Sequence, residues 1–127
     1  MVKARLIAVV DDDFRVLESL ESLLESTGYT PVVFDSGEAF LQSAAVSVAS
    51  CLITDIRMPN IDGVELQRRL KRQRPELPII FMTAHHDEEV ERRVVQRGAA
   101  GFLRKSFSAS AFLGAIRRAL DEPESEQ

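Results

Sequence analysis

Asp11, Asp12, Asp13, Asp55, Thr83 and Lys105 are the residues of this 127-residue chain whose types and spacing suit phosphoryl or metal chemistry. Each cluster follows a short apolar run: the three aspartates after Leu6-Ile7-Ala8-Val9-Val10, Asp55 after Cys51-Leu52-Ile53-Thr54, Thr83 after Ile79-Ile80-Phe81-Met82, and Lys105 after Gly101-Phe102-Leu103-Arg104. If these runs are parallel strands of one sheet, all four clusters lie along the same edge, where open α/β sheets bind ligands. Crowded carboxylates repel one another and resist ionisation unless a cation joins them, so the acidic cluster calls for a hard divalent ion with oxygen ligands. A phosphoryl transition state carries negative charge on its peripheral oxygens, and such an ion together with a fixed ammonium supplies the opposite charge.

Apolar runs alternate with amphipathic segments five times. The first run is continuous and β-branched enough for a strand buried on both faces. From 14 to 27 the period becomes helical, with Val16, Leu17, Leu20, Leu23 and Leu24 on one side and Glu18, Glu21 and Glu25 opposite. Asp13 or Asp12 can cap that helix and Gly28 can end it. A second strand, 30–34, belongs at an edge because Pro31 has no amide hydrogen to donate. Ser36 can cap a helix carrying Phe40, Leu41 and Ala44, the third strand spans 50–54, and 59–63 has loop chemistry. A helix over 64–73 turns Leu66 and Leu70 inward and presents the basic run from Arg68 to Arg74 as a solvated face. The segment 87–97 offers only Val90, Val94 and Val95 as anchors, which makes it the least securely packed helix. Ser108 can cap a last helix with Phe112, Leu113, Ile116 and Leu120 on one stripe. Five β-α units predict a doubly wound α/β fold with a five-stranded parallel sheet, because each parallel connection needs a right-handed crossover.

The chain is long enough for one domain and too short for two. No apolar stretch approaches the roughly 20 residues a membrane helix needs, and the first apolar run has no cleavage site after it, so the expectation is a cytoplasmic protein without a signal peptide. Cys51 is the only cysteine, which excludes an internal disulfide and suits a small buried strand residue. The net charge of −4 argues against direct nucleic-acid binding.

The acidic cluster, Thr54-Asp55-Ile56-Arg57-Met58-Pro59-Asn60-Ile61-Asp62-Gly63, Thr83-Ala84 and Lys105, in this order, resemble the receiver domain of two-component response regulators. Asp55 to Pro59 with Glu65-Leu66-Gln67 is most similar to FixJ-type receivers, which usually precede a DNA-binding domain. The resemblance implies a flavodoxin-like (βα)5 domain over 1–121, strand order 2-1-3-4-5, with 122–127 as a tail or the start of a linker. It implies that Asp55 accepts a phosphoryl group from a sensor histidine kinase or phosphotransfer protein. Mg²⁺, or Mn²⁺ in its place, would be held by Asp12, Asp55 and the backbone carbonyl of Arg57, with Asp11 acting through water. Thr83 and Lys105 would contact the phosphoryl oxygens, Thr83 and Phe102 would form the switch, and Arg57 and His85 would tune the phosphate lifetime. The surface of the fourth helix, fifth strand and fifth helix (87–97, 101–104 and 108–120) would then dimerise or bind a partner, the implied output being transcriptional control by a switch rather than a turnover enzyme.

Ser106 departs from the proline usual after the lysine; a non-proline cis bond costs roughly 2.5–4 kcal/mol, so a trans Lys105-Ser106 peptide is expected, with the loop presenting Lys105 displaced or more mobile. Asp13 is read as a cap first and a site residue second. His85 and His86 read as a solvated loop rather than a metal pair. Two alternatives remain at this point: a haloacid-dehalogenase-like phosphatase with Asp11 as nucleophile in Asp11-x-Asp13, and an interaction module that is not phosphorylated.

Overall fold

A computed structural model describes residues 5–122 of the chain. Along them run β1 (Leu6–Val10), α1 (Phe14–Ser26), β2 (Thr30–Phe34), α2 (Gly37–Leu41), α3 (Ala45–Val48), β3 (Cys51–Asp55), α4 (Gly63–Gln73), β4 (Ile79–Thr83), α5 (Glu88–Gln96), β5 (Gly101–Arg104) and α6 (Ala109–Ala119). The strands form one parallel sheet in the order β2-β1-β3-β4-β5, the expected doubly wound arrangement. Every residue of β3 and β4 is buried, while β2, with Pro31, is a partly exposed edge. Alternation along the strands divides the core into two layers. Ala8, Val10, Leu52 and Phe81 face Phe40, Leu66, Leu70 and Val94, and Ile7, Val9, Ile53, Ile80 and Met82 face Leu17, Leu20, Leu24, Phe112 and Ile116.

Register places the chemistry. Val10 pairs with Thr54, Asp55 with Met82, and Thr83 with Arg104, so the residues that end or follow β1, β3, β4 and β5 share one rim. The sheet grows in opposite directions from β1 and β3, and the crevice at their carboxyl ends is its topological switch point.

Asp13, Ser36 and Ser108 each accept a backbone N–H at a helix start, as the sequence suggests, and Asp87 and Asp62 do the same for α5 and α4. Gly28 ends the first helical unit at φ 93°, a backbone conformation that suits glycine. One expected helix is broken in two. The Ser43 hydroxyl donates to the Phe40 carbonyl at 2.8 Å and accepts from the Ala45 N–H at 3.1 Å, competing with the helical ladder between α2 and α3. The fourth and fifth helices of the sequence reading are therefore α5 and α6. Within the basic run, Arg68 and Arg69 are exposed and paired with Glu65, but Arg74 is half-buried and its Nη1 donates to the carbonyls of Val46 (3.0 Å) and Ala49 (2.6 Å). That arginine is a tie between α4 and the end of α3, not part of a solvated face. Glu122, first residue of the expected tail, accepts from the Tyr29 hydroxyl at 3.0 Å and lies 3.6 Å from Arg5 Nε; the rest of the tail, 123–127, lies outside the described residues.

Because the Asp13 carboxylate accepts the Arg15 N–H at 2.9 Å, Asp13→Ala lowers stability by about 1 kcal/mol. Urea denaturation measures the loss.

Candidate functional site

Asp11 leaves β1 fully buried, with its Oδ1 accepting the Asp13 N–H at 2.8 Å. Asp55 is the last residue of β3, 6 % exposed, and its Oδ1 accepts the Ile56 N–H at 2.8 Å. Asp12 is exposed at the mouth, and one carboxylate oxygen from each of Asp11, Asp12 and Asp55 lies within 4.8 Å of the others. Lys105 enters from β5: its Nζ is 2.7 Å from Asp11 Oδ2 and 3.2 Å from Asp55 Oδ2. The described residues contain no cis peptide bond, so Lys105-Ser106 is trans as expected. The lysine reaches the carboxylates nonetheless, because its own N–H is tied to the Thr83 carbonyl at 2.8 Å.

Charge is unevenly compensated here. Burial, then the neighbouring Asp11 carboxylate, push Asp55 above the ordinary aspartate range against the pull of Lys105. Burial would lower Lys105, but the Asp11 and Asp55 carboxylates outweigh it and hold the ammonium above its usual value. Asp11 Oδ2, buried, meets the Lys105 ammonium but takes no aligned hydrogen bond. Three carboxylates against one ammonium leave a net negative, all-oxygen donor set, which fits a hard divalent cation.

The loop behind Asp55 is clamped by Gly63, which the sequence marks only as a turn residue. Gly63 opens α4, and its N–H donates to the Ile56 carbonyl at 2.8 Å. A Cβ there would lie 2.6 Å from the Asp55 carbonyl oxygen and 2.9 Å from Ile56 Cα, so only glycine permits this approach. Asn-Ile-Asp-Gly in the sequence signals a turn, and the close approach behind it becomes visible only in three dimensions.

Thr83 ends β4, 2 % exposed, and its hydroxyl donates to the His85 carbonyl (3.0 Å) while accepting the His85 N–H (3.2 Å). Phe102 is half-buried on β5 and packs on the α5 side of the core. Arg57 and His85 are exposed. His86 is half-buried and bonded to Glu91 and Arg104, unlike the solvated loop residue expected. Its partners lie five and eighteen positions away, a separation no local pattern reveals. Asp13 is spent on α1, so Asp11-x-Asp13 does not present two carboxylates to one substrate as a haloacid-dehalogenase site would.

Fold and site together define a flavodoxin-like α/β domain that gathers carboxylates and an ammonium at its topological switch point. A family model described as the response regulator receiver domain matches residues 7–117, and the chain belongs to that family. The response regulator protein TodT of Pseudomonas putida is 41% identical over 118 residues, 93% of this chain and 52% of that protein. The transcriptional regulatory protein FixJ of Bradyrhizobium diazoefficiens is 36% identical over 118 residues, 93% of this chain and 58% of its own length. The chain thus spans about half the length of these curated relatives. The crystal structure of FixJ-N superposes with a TM-score of 0.84 at 31% identity, covering 98% of this chain and 100% of that one.

Two outcomes follow from the packing and charge of the site. Gly63→Ala costs about 1–3 kcal/mol by overpacking and moves the amide resonances of Asp55 and Ile56, read by urea denaturation and NMR. Asp55→Asn raises the thermal midpoint at pH 7 in magnesium-free buffer, since a carboxyl with a raised folded pKa stabilises below its unfolded value and loses that contribution as pH rises through the folded one. The gain over wild type therefore shrinks as the pH is lowered through the carboxylate range, as scanning calorimetry over a pH series will record.

Proposed function

We propose that this chain is a phosphoacceptor switch in which Asp55 carries the phosphoryl group and residues 1–121 form the switching unit. The observation that carries this reading is the Lys105 ammonium lying 2.7 Å and 3.2 Å from Asp11 and Asp55 inside a carboxylate triad. An Asp55 oxygen attacks the phosphorus of a phosphohistidine on a sensor histidine kinase or phosphotransfer protein. The P–N bond breaks, its electron pair leaves with the imidazole, which takes up a proton, and an acyl phosphate remains on Asp55.

Mg²⁺, with Mn²⁺ as a substitute, supplies charge neutralisation at the transferring oxygens; Asp12 and Asp55 would hold it with the Arg57 carbonyl, and Asp11 through water. Lys105 exchanges its Asp55 contact for the phosphoryl group, which keeps an ammonium fixed where negative charge arrives. The Thr83 hydroxyl leaves the His85 carbonyl and donates to a phosphoryl oxygen, and Phe102 follows it inward. The surface of α5, β5 and α6 then favours a homodimer or another partner, since a switch needs different affinities for its two states. Arg57 and His85, exposed beside the mouth, set the rate at which water removes the phosphate.

The role in transcriptional control is supported by the regulators this chain resembles. The net charge of −4 supports a domain that does not itself bind nucleic acid. A cytoplasmic location agrees with the finding that no helix among the described residues is long and apolar enough to cross a membrane.

Incubation with acetyl phosphate and Mg²⁺ adds one phosphoryl group by intact mass, mapped to Asp55 and absent from Asp55→Asn. Phosphate on Asp11, or none at all, sinks the reading. Mg²⁺ alone at a hundredfold excess over its dissociation constant stabilises the fold by about 2.7 kcal/mol, and Asp12→Asn removes most of this gain in thermal melts. A wild-type protein indifferent to Mg²⁺ would instead be the unphosphorylated interaction module.

A further inference from the structure

His86 stands at a junction of three elements. Its Nε2 is 2.5 Å from Glu91 Oε1 on α5, and its Nδ1 is 3.1 Å from Arg104 Nη2 on β5. A guanidinium only donates, so Nδ1 offers its lone pair, the ring proton sits on Nε2, and Glu91 accepts it. In this arrangement the ring is neutral with one defined tautomer. It also meets Phe102 edge to face, with centroids 6.1 Å apart.

The junction is joined to Thr83 by two short paths. Along the chain, both the carbonyl and the N–H of His85 are bonded to the Thr83 hydroxyl, and His86 is the next residue. Across the sheet, Thr83 is the register partner of Arg104, and Phe102 lies two positions before it on the same face of β5. Release of the Thr83 hydroxyl would break both of its bonds to the His85 backbone, the residue that precedes His86.

We propose that the His86 imidazole, held between Glu91 and Arg104 against Phe102, is a latch that stabilises the resting arrangement of the Thr83 loop and thereby sets how readily the domain switches. The inference rests on the phosphoacceptor reading above. His86 acts through Thr83 and touches no reacting atom, so it is a positioning residue. A contact made only in the resting state lowers the population of the competent state, and the apparent affinity for a phosphoryl mimic falls in the same proportion. Loss of the latch raises that affinity.

The test is titration of the full chain with beryllofluoride and Mg²⁺ by calorimetry, comparing wild type, His86→Ala, Arg104→Gln and the double variant. His86→Ala binds roughly fivefold tighter or more, its affinity for Mg²⁺ alone is unchanged, and the double variant gains little beyond it because both changes open one contact. Equal or weaker beryllofluoride affinity in a folded His86→Ala overturns the latch. Wild-type NMR gives a measurement that does not depend on a variant folding: imidazole nitrogen shifts report the Nε2–H tautomer at rest and its loss with beryllofluoride. An unchanged tautomer and environment overturn the latch while leaving the phosphoacceptor reading intact. No response of wild type at Asp55 or Thr83 overturns the phosphoacceptor reading itself.

Discussion

Three carboxylates converge within 4.8 Å of one another around a single ammonium, and the neighbourhood has to hold that repulsion in place. Coulomb repulsion at such distances would open a mobile loop, and the three buried or half-buried groups, Asp11, Asp55 and Lys105, are fastened by backbone. Asp11 and Asp55 accept N–H groups of their own chain, Lys105 is tied to the Thr83 carbonyl, and the segment after β3 is gripped by the start of α4. The sheet supplies the foundation, since β3 and β4 are buried throughout and their side chains cannot yield without opening cavities. An excess of negative charge is thereby stored in a rigid frame.

The fold was legible because the two periods in the chain differ so clearly. Unbroken runs such as Ile79-Ile80-Phe81-Met82 need burial on both faces, and Leu17, Leu20 and Leu24 need burial on one stripe. The carboxyl-edge residues were legible for a related reason: a parallel sheet puts all strand ends of one polarity together, so order along the chain becomes proximity in space. The division at Ser43 was not visible, because a hydroxyl that takes backbone partners looks in sequence like any helix-surface serine. Arg74 was concealed by its basic neighbours, although its guanidinium alone reaches the carbonyls of Val46 and Ala49. Both depend on contacts that composition does not encode.

Thr83 illustrates how the site and the surface share hardware. Its backbone belongs to the rigid sheet through β4, while its hydroxyl belongs to the loop that begins at Ala84. The same residue thus belongs by its backbone to the buried sheet and by its hydroxyl to the loop that follows it. Lys105 and Arg104 divide similarly, with adjacent side chains serving the carboxylates and the His86 junction.

The Thr83 loop and the His86 junction lie on one flank, beside α5. Val94 is the sole fully buried residue of α5, with Val90 partly buried beside it, whereas α1 buries Leu17, Leu20 and Leu24 and α4 buries the side chains of Leu66, Gln67 and Leu70. Mechanical compliance is concentrated in the element beside the Thr83 loop, and stiffness in the strands that hold the charges. A helix held by one fully buried side chain can open locally at lower free energy than the central strands, so its loosening leaves the strands that carry the charges undisturbed.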